Sequence, residues 1–189
     1  MNVIGVVLAG GSGRRMGGNK ALVELDGLPL LHYPVTAMRE VLDDVAVVCK
    51  QDTPLPDLGG GISIWCEPDE ERHPLIGIAA GLRQAAPHPI LVCAGDMPLI
   101  DAESLRALLN APPAPIVVAR AGGRLQPLLG RYAPDALEGI ETREPDEPAT
   151  AVIERLDPVI VDLPERVAFN VNAPEDLLLA EREGVGGDA

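Results

Sequence analysis

The residues best suited to chemistry stand together after the first apolar run, in Leu8-Ala9-Gly10-Gly11-Ser12-Gly13-Arg14-Arg15-Met16-Gly17-Gly18-Asn19-Lys20. Glycines let a backbone come close to a ligand, and exposed N–H groups together with Arg14, Arg15 and Lys20 can hold phosphate oxygens. A surface loop with incidental basic residues is the plainer reading. It explains less, because three cations gathered in an acidic chain need another reason to be together. Two common phosphate motifs fail here: the dinucleotide fingerprint requires a third glycine where Met16 stands, and the Gly-Lys-Ser/Thr pattern meets Asn19-Lys20-Ala21.

A second candidate lies in Gly95-Asp96-Met97-Pro98, directly after an apolar run at 90–94. A carboxylate at the carboxyl end of a strand sits where α/β sheets bind ligands, and Asp96 could hold Mg²⁺, which takes oxygen ligands and bridges to phosphate. The competing reading is a turn or helix-capping aspartate, for which Asp101 is better placed. In Asn170-Val171-Asn172, Asn172 could cap a helix starting at Pro174 or serve the site, whereas Asn170 has less structural reason to be there. Cys49, Cys66 and Cys93 each end an apolar run and read as reduced, buried small residues. They lack paired zinc spacing, and His32, His73 and His88 are not clustered with them.

Regular elements must position these residues. Short apolar runs at 3–8, 45–49, 62–66, 90–94, 116–119 and 159–163 alternate with amphipathic stretches at 30–42, 74–86, 101–110 and 134–142. That alternation predicts an α/β fold with a mostly parallel sheet, since strands buried on both faces read as continuous apolar runs. Residues 125–132 read as an added strand after a Gly122-Gly123 turn, and a last helix runs from Pro174 to near Glu183. The acidic, proline-rich 143–148 is the expected mobile loop. With 189 residues and no composition break, a single domain over 1–189 is expected, with 184–189 as a frayed tail.

Composition excludes several roles. The formal net charge of −14 would repel nucleic acid or an anionic membrane, and four aromatics (Tyr33, Trp65, Tyr132, Phe169) leave little for base stacking. The first eleven residues lack a basic leader region, and no apolar run approaches the ~20 residues of a membrane span, so a cytoplasmic protein is expected.

The run Leu8 to Lys20 resembles the nucleotide-binding signature of the molybdenum cofactor guanylyltransferase family, within the wider nucleotidyltransferases. The resemblance continues, in order, through Pro74-Leu75-Ile76-Gly77-Ile78-Ala79-Ala80-Gly81-Leu82, Gly95-Asp96-Met97-Pro98-Leu99-Ile100, Gln126-Pro127-Leu128 and Phe169-Asn170-Val171-Asn172-Ala173-Pro174-Glu175-Asp176-Leu177, and so spans nearly the whole chain. It implies a Rossmann-like three-layer α/β/α sandwich of nucleotidyltransferase type that moves GMP from GTP to the phosphate of molybdopterin and releases pyrophosphate. It also implies a nucleotide site at Leu8, Ala9, Gly10, Gly11, Arg15, Lys20, Glu67 and Asp96. Arg15 and Lys20 would neutralise the triphosphate, Asp96 would bind Mg²⁺, and Gln126, Asn170 and Asn172 would lie toward the acceptor. Delivery partners or molybdoenzymes are implied by the family alone.

In that family a carboxylate after the third strand reads guanine. Glu67 is the nearest match, and a carboxylate can accept from both guanine donors at once; the alternative is a solvated acid beside Asp69, Glu70 and Glu71. Family members commonly carry an asparagine at the end of the second strand, where this chain has Val48. The base therefore stays open between guanine and cytosine. Other readings are another phosphorylated acceptor, including a sugar 1-phosphate, and a non-catalytic nucleotide-binding module. Leu8-Ala9-Gly10-Gly11 and Asp96-Met97-Pro98 favour the guanylyl reading, since cytidylyl enzymes resemble Leu-Ala-Ala-Gly and Asp-Gln-Pro at these blocks.

Overall fold

A computed structural model describes residues 2–10, 20–68 and 73–184. Its centre is a seven-stranded sheet. Strands β1 (Ile4–Leu8), β4 (Val45–Cys49), β5 (Ile62–Cys66) and β6 (Ile90–Ala94) are parallel neighbours, with β1 between β4 and β6 and β5 at the edge. A short antiparallel pair, β2 (Glu24–Leu25) and β3 (Leu28–Pro29), stands apart from this sheet. Next to β6 the chain inserts β8 (Arg124–Tyr132), antiparallel both to β6 and to β7 (Ile116–Ala121), and β9 (Val159–Asp162) pairs parallel with β7 at the far edge.

Residue alternation along each strand divides the core in two. On one face Val7, Val47, Leu91, Cys93 and Val117 pack against α1 (His32–Arg39) and α3 (Ala102–Asn110). On the other, Val6, Val48, Val92, Val118 and Tyr132 pack against α2 (Pro74–Ala85), α4 (Ala136–Glu141) and α5 (Ala149–Arg155). The expected three-layer α/β/α sandwich is therefore the observed one. A small satellite core joins Leu25 and Leu30 near the short β2–β3 pair to Val171 and Ala180, the latter on α6 (Pro174–Gly184).

Five features depart from the sequence expectation. Cys66, expected to be buried, is exposed at the end of the edge strand β5. The helix expected over 30–42 occupies only His32–Arg39; Leu30 and Leu31 are wholly buried, but ahead of it. The strand expected after the glycine turn enters the interior of the sheet. It also carries a register shift: Val118 faces Gly130 while Ala119 faces Gln126, so residues 127–129 bulge out of the ladder. Proline suits such a bulge because it has no N–H to leave unpaired, and the buried Tyr132 hydroxyl donates to the Pro127 carbonyl at 2.5 Å. Helix α5 was not foreseen; burial of Val152 and Ile153 holds it. The segment expected to be mobile is tethered through Glu147, whose carboxylate accepts from Arg155 at 3.1 and 3.2 Å and whose carbonyl lies 2.8 Å from His73 Nε2.

Candidate functional site

The carboxyl ends of β1, β4, β5 and β6 form one rim of the sheet. Two backbone bonds draw it together: Ala9 N donates to Val48 O at 2.8 Å, and Gly95 N to Leu8 O at 2.9 Å. A methyl group on Gly95 would stand 2.9 Å from Leu31 Cδ1 and 3.0 Å from Leu8 O, so only glycine allows this approach. The loop after β6 thereby brings Asp96 over the end of β1.

Asp96 does not cap α3, because Asp101 takes that role. Ser104 N donates to Asp101 Oδ1 at 2.8 Å, and Arg166 donates to Asp101 Oδ2 at 2.8 Å. Asp96 instead accepts from the Lys20 ammonium, which also donates to Asn172 Oδ1 at 2.8 Å. Lys20 and Asp96 expose only 14% and 20% of their side chains, so this pair is partly withdrawn from water. Asn172 does not cap α6; Asp176 does, accepting from Ala173 N at 2.9 Å. Asn170 is joined to the cluster through its carbonyl, which accepts from Asn172 Nδ2 at 3.3 Å, and its own amide donates to Ala168 O at 2.9 Å.

Across the rim, Glu67 N donates to Cys49 O at 2.9 Å, and the Glu67 carboxylate lies between two glycines. A methyl group on Gly10 would stand 2.6 Å from Glu67 Oε1, and one on Gly77 would stand 3.1 Å from Oε2. Burial holds the Glu67 carboxyl above the ordinary glutamate range, with Lys50 pulling the other way. Glu67 is thus half-buried and placed against Gly10 and Gly77, unlike a solvated surface acid. Val48 is wholly buried on the α2 face and offers the rim only its carbonyl.

The geometry therefore brings together Lys20, Asp96, Asn172 and, through backbone, Asn170; it sets Glu67 against Gly10 and joins Leu8 and Ala9 to the neighbouring strands. Gln126 shares the rim, because β8 runs antiparallel and begins where its neighbours end, but its carboxamide donates to Arg124 O at 3.5 Å, outside the Lys20 cluster. Gly11 and Arg15, with Arg14, Asp69, Glu70 and Glu71, lie outside the described residues. Sequence reasoning missed the parts of Asp176 and Gly77, although Asp176 stands at capping-box spacing from Ala173.

The chemical capacity follows from residue types. Cys93 is wholly buried, and burial first and Asp96 second push its thiol well above its ordinary range. Among the described residues no three His, Cys, Asp or Glu side chains converge as a metal site, and no helix is long and apolar enough to cross a membrane. What converges is a carboxylate and an amide oxygen on one ammonium, at the carboxyl end of a strand.

A mostly parallel sheet with polar side chains gathered at its carboxyl rim is the layout of an α/β ligand-binding domain. The MobA-like NTP transferase domain matches residues 5–159, and the chain belongs to that family. The molybdenum cofactor guanylyltransferase of Cereibacter sphaeroides is 31% identical over 188 residues, covering 96% of each chain. That of Pseudomonas aeruginosa is 35% identical, covering 94% of this chain and 93% of its own. Among solved structures, molybdopterin-guanine dinucleotide biosynthesis protein A from Archaeoglobus fulgidus shares the fold, with a TM-score of 0.75, 24% identity and coverage of 97% of this chain and 100% of that one.

Proposed function

We propose that this chain transfers the GMP moiety of GTP to the terminal phosphate of molybdopterin, releasing pyrophosphate. The guanylyltransferase names of relatives aligned over nearly the whole chain support the reaction. The observation that carries it is the Lys20, Asp96 and Asn172 cluster, with Glu67 across the same rim.

A phosphate oxygen of the acceptor attacks the α-phosphorus of GTP in line. One P–O bond forms, the α–β bridging P–O bond breaks, and the electron pair leaves with pyrophosphate. The acceptor phosphate is already ionised near neutral pH, so no protein nucleophile or general base is needed and the chain's task is positioning and charge neutralisation. Lys20 and Arg15 neutralise the triphosphate. Glu67 accepts from the guanine N1–H and exocyclic amine, and Gly10 beside it leaves room by lacking a side chain.

Mg²⁺ fits the donor set, because Asp96 Oδ2 and Asn172 Oδ1 are hard oxygens already converging on one cation, the Lys20 ammonium. Asp96 would hold the ion with Asn172, and when bound it would neutralise charge on the phosphate oxygens. The free Cys49, Cys66 and Cys93 accord with a reducing, cytoplasmic location.

The test is pyrophosphate release from purified protein with molybdopterin and Mg²⁺, comparing GTP, CTP and ATP with an EDTA control. Release with GTP alone and its loss in EDTA are expected. Release with CTP alone would overturn the base assignment, and silence with all three would overturn the acceptor or the catalytic reading.

A further inference from the structure

Asp176 lies in the first turn of α6, and its Oδ2 accepts two backbone bonds: from Asn172 N at 2.7 Å and from Ala173 N at 2.9 Å. The bond from Ala173, the residue before the helix, is the returning half of a capping box. The bond from Asn172 lies one residue further upstream and is not required to close the helix. It fixes the backbone of the residue whose carboxamide accepts from Lys20 at 2.8 Å. The segment before α6 has no ladder to hold it, apart from the bond of Val171 N to Asp96 O at 3.0 Å. Side chains that work in a polar site depend on such supports for their orientation.

We infer that Asp176 is a positioning residue that aims the Asn172 carboxamide at Lys20 and so holds Lys20 and Asp96 in their joint geometry. The inference rests on the proposed transferase reading only for its kinetic consequence.

The test is a double-mutant cycle on the full chain with D176A, N172A and the double variant, together with D176N, whose carboxamide oxygen can accept the same two N–H bonds. Two quantities are read: guanylyl transfer with GTP and molybdopterin, and the rate at which an acetylating reagent labels Lys20 in protein without nucleotide, followed by mass spectrometry. For D176A, kcat falls about tenfold with the KM for GTP little changed, as losses of supporting partners commonly do. In the N172A background the same substitution costs less than about twofold, within ordinary additivity. D176N retains most of the wild-type rate. Lys20 labelling rises in D176A and N172A alike and no further in the double variant. Equal kinetic losses in both backgrounds, unchanged labelling in D176A, or D176N behaving like D176A would each overturn the inference. If D176A does not fold, D176S carries the same cycle, because its shorter hydroxyl cannot serve both N–H groups. Absence of transfer by the wild-type protein, with the labelling cycle intact, would sink the transferase reading and leave the positioning role standing.

Discussion

Lys20 and Asp96, separated by 76 residues of sequence, are joined by a partly buried ion pair that Asn172 completes from the other end of the chain. Breaking such a pair by removing one member leaves an uncompensated charge, whereas neutralising both does not. K20M and D96N should therefore each destabilise the protein by about 1–3 kcal/mol, while the K20M/D96N double variant recovers much of that loss in urea unfolding. Activity should not recover: all three should lose about 10²–10³-fold in kcat/KM for GTP, the usual cost of deleting a charge-stabilising group. An active D96N with its full response to Mg²⁺ would show that Asp96 is not the metal ligand.

Glu67 should trade stability against base recognition. Burial raises its folded carboxyl above the unfolded value of about 4.3. A raised acid contributes stability that is complete below the unfolded value and lost as pH rises through the folded one. At pH 7, E67Q should therefore melt at or above the wild-type temperature, with no advantage near pH 4. Its KM for GTP should rise by about tenfold or more, the equivalent of one lost charge-assisted hydrogen bond. The wild-type KM should also climb as pH falls toward the carboxyl range, and that slope should be absent in E67Q. A lower melting temperature for E67Q at pH 7 would contradict the burial argument.

Tyr132 ties the bulge of residues 127–129, which begins directly after Gln126. Tyr132→Phe removes only the hydroxyl and leaves the Pro127 carbonyl without this partner, which should cost about 1–2 kcal/mol. If the bulge shapes the acceptor side, the KM for molybdopterin should rise while that for GTP stays constant. Equal changes in both would place the bulge outside the acceptor site.

Asp101 caps α3 and pairs with Arg166. Burial pushes its carboxyl up, but the Ser104 N–H and the Arg166 guanidinium outweigh that and bring it below the ordinary value. A lowered acid contributes stability above its unfolded value of about 3.9, and the contribution is lost as pH falls through the folded one. D101A should thus cost about 1 kcal/mol at pH 7, typical of a lost cap. The difference from wild type should shrink in acid-unfolding curves below about pH 4, and GTP turnover measured well below the melting temperature should be nearly unchanged.

Local chemistry was legible in the sequence. Uninterrupted apolar runs announced the central parallel strands β1, β4 and β6, because burial on both faces leaves no polar alternation, whereas the edge strands β5 and β9 are half-exposed. Gly95-Asp96 after such a run placed a carboxylate at a strand terminus, and Asp101 ahead of Ser104 announced its own cap. The family signature likewise lay in contiguous blocks. Other features arose only when distant segments met. The insertion of β8 between β6 and β7 depends on which edges pair, and nothing within residues 124–132 encodes that. Helix α5 is held by packing of Val152 and Ile153 against the sheet, which its own seven residues do not announce. Whether Asn172 caps a helix or serves the site was undecidable locally, since its carboxamide suits both. Asp176 took the cap and Lys20 took the carboxamide, a division set by folding because a hydrogen bond depends on the position of both partners.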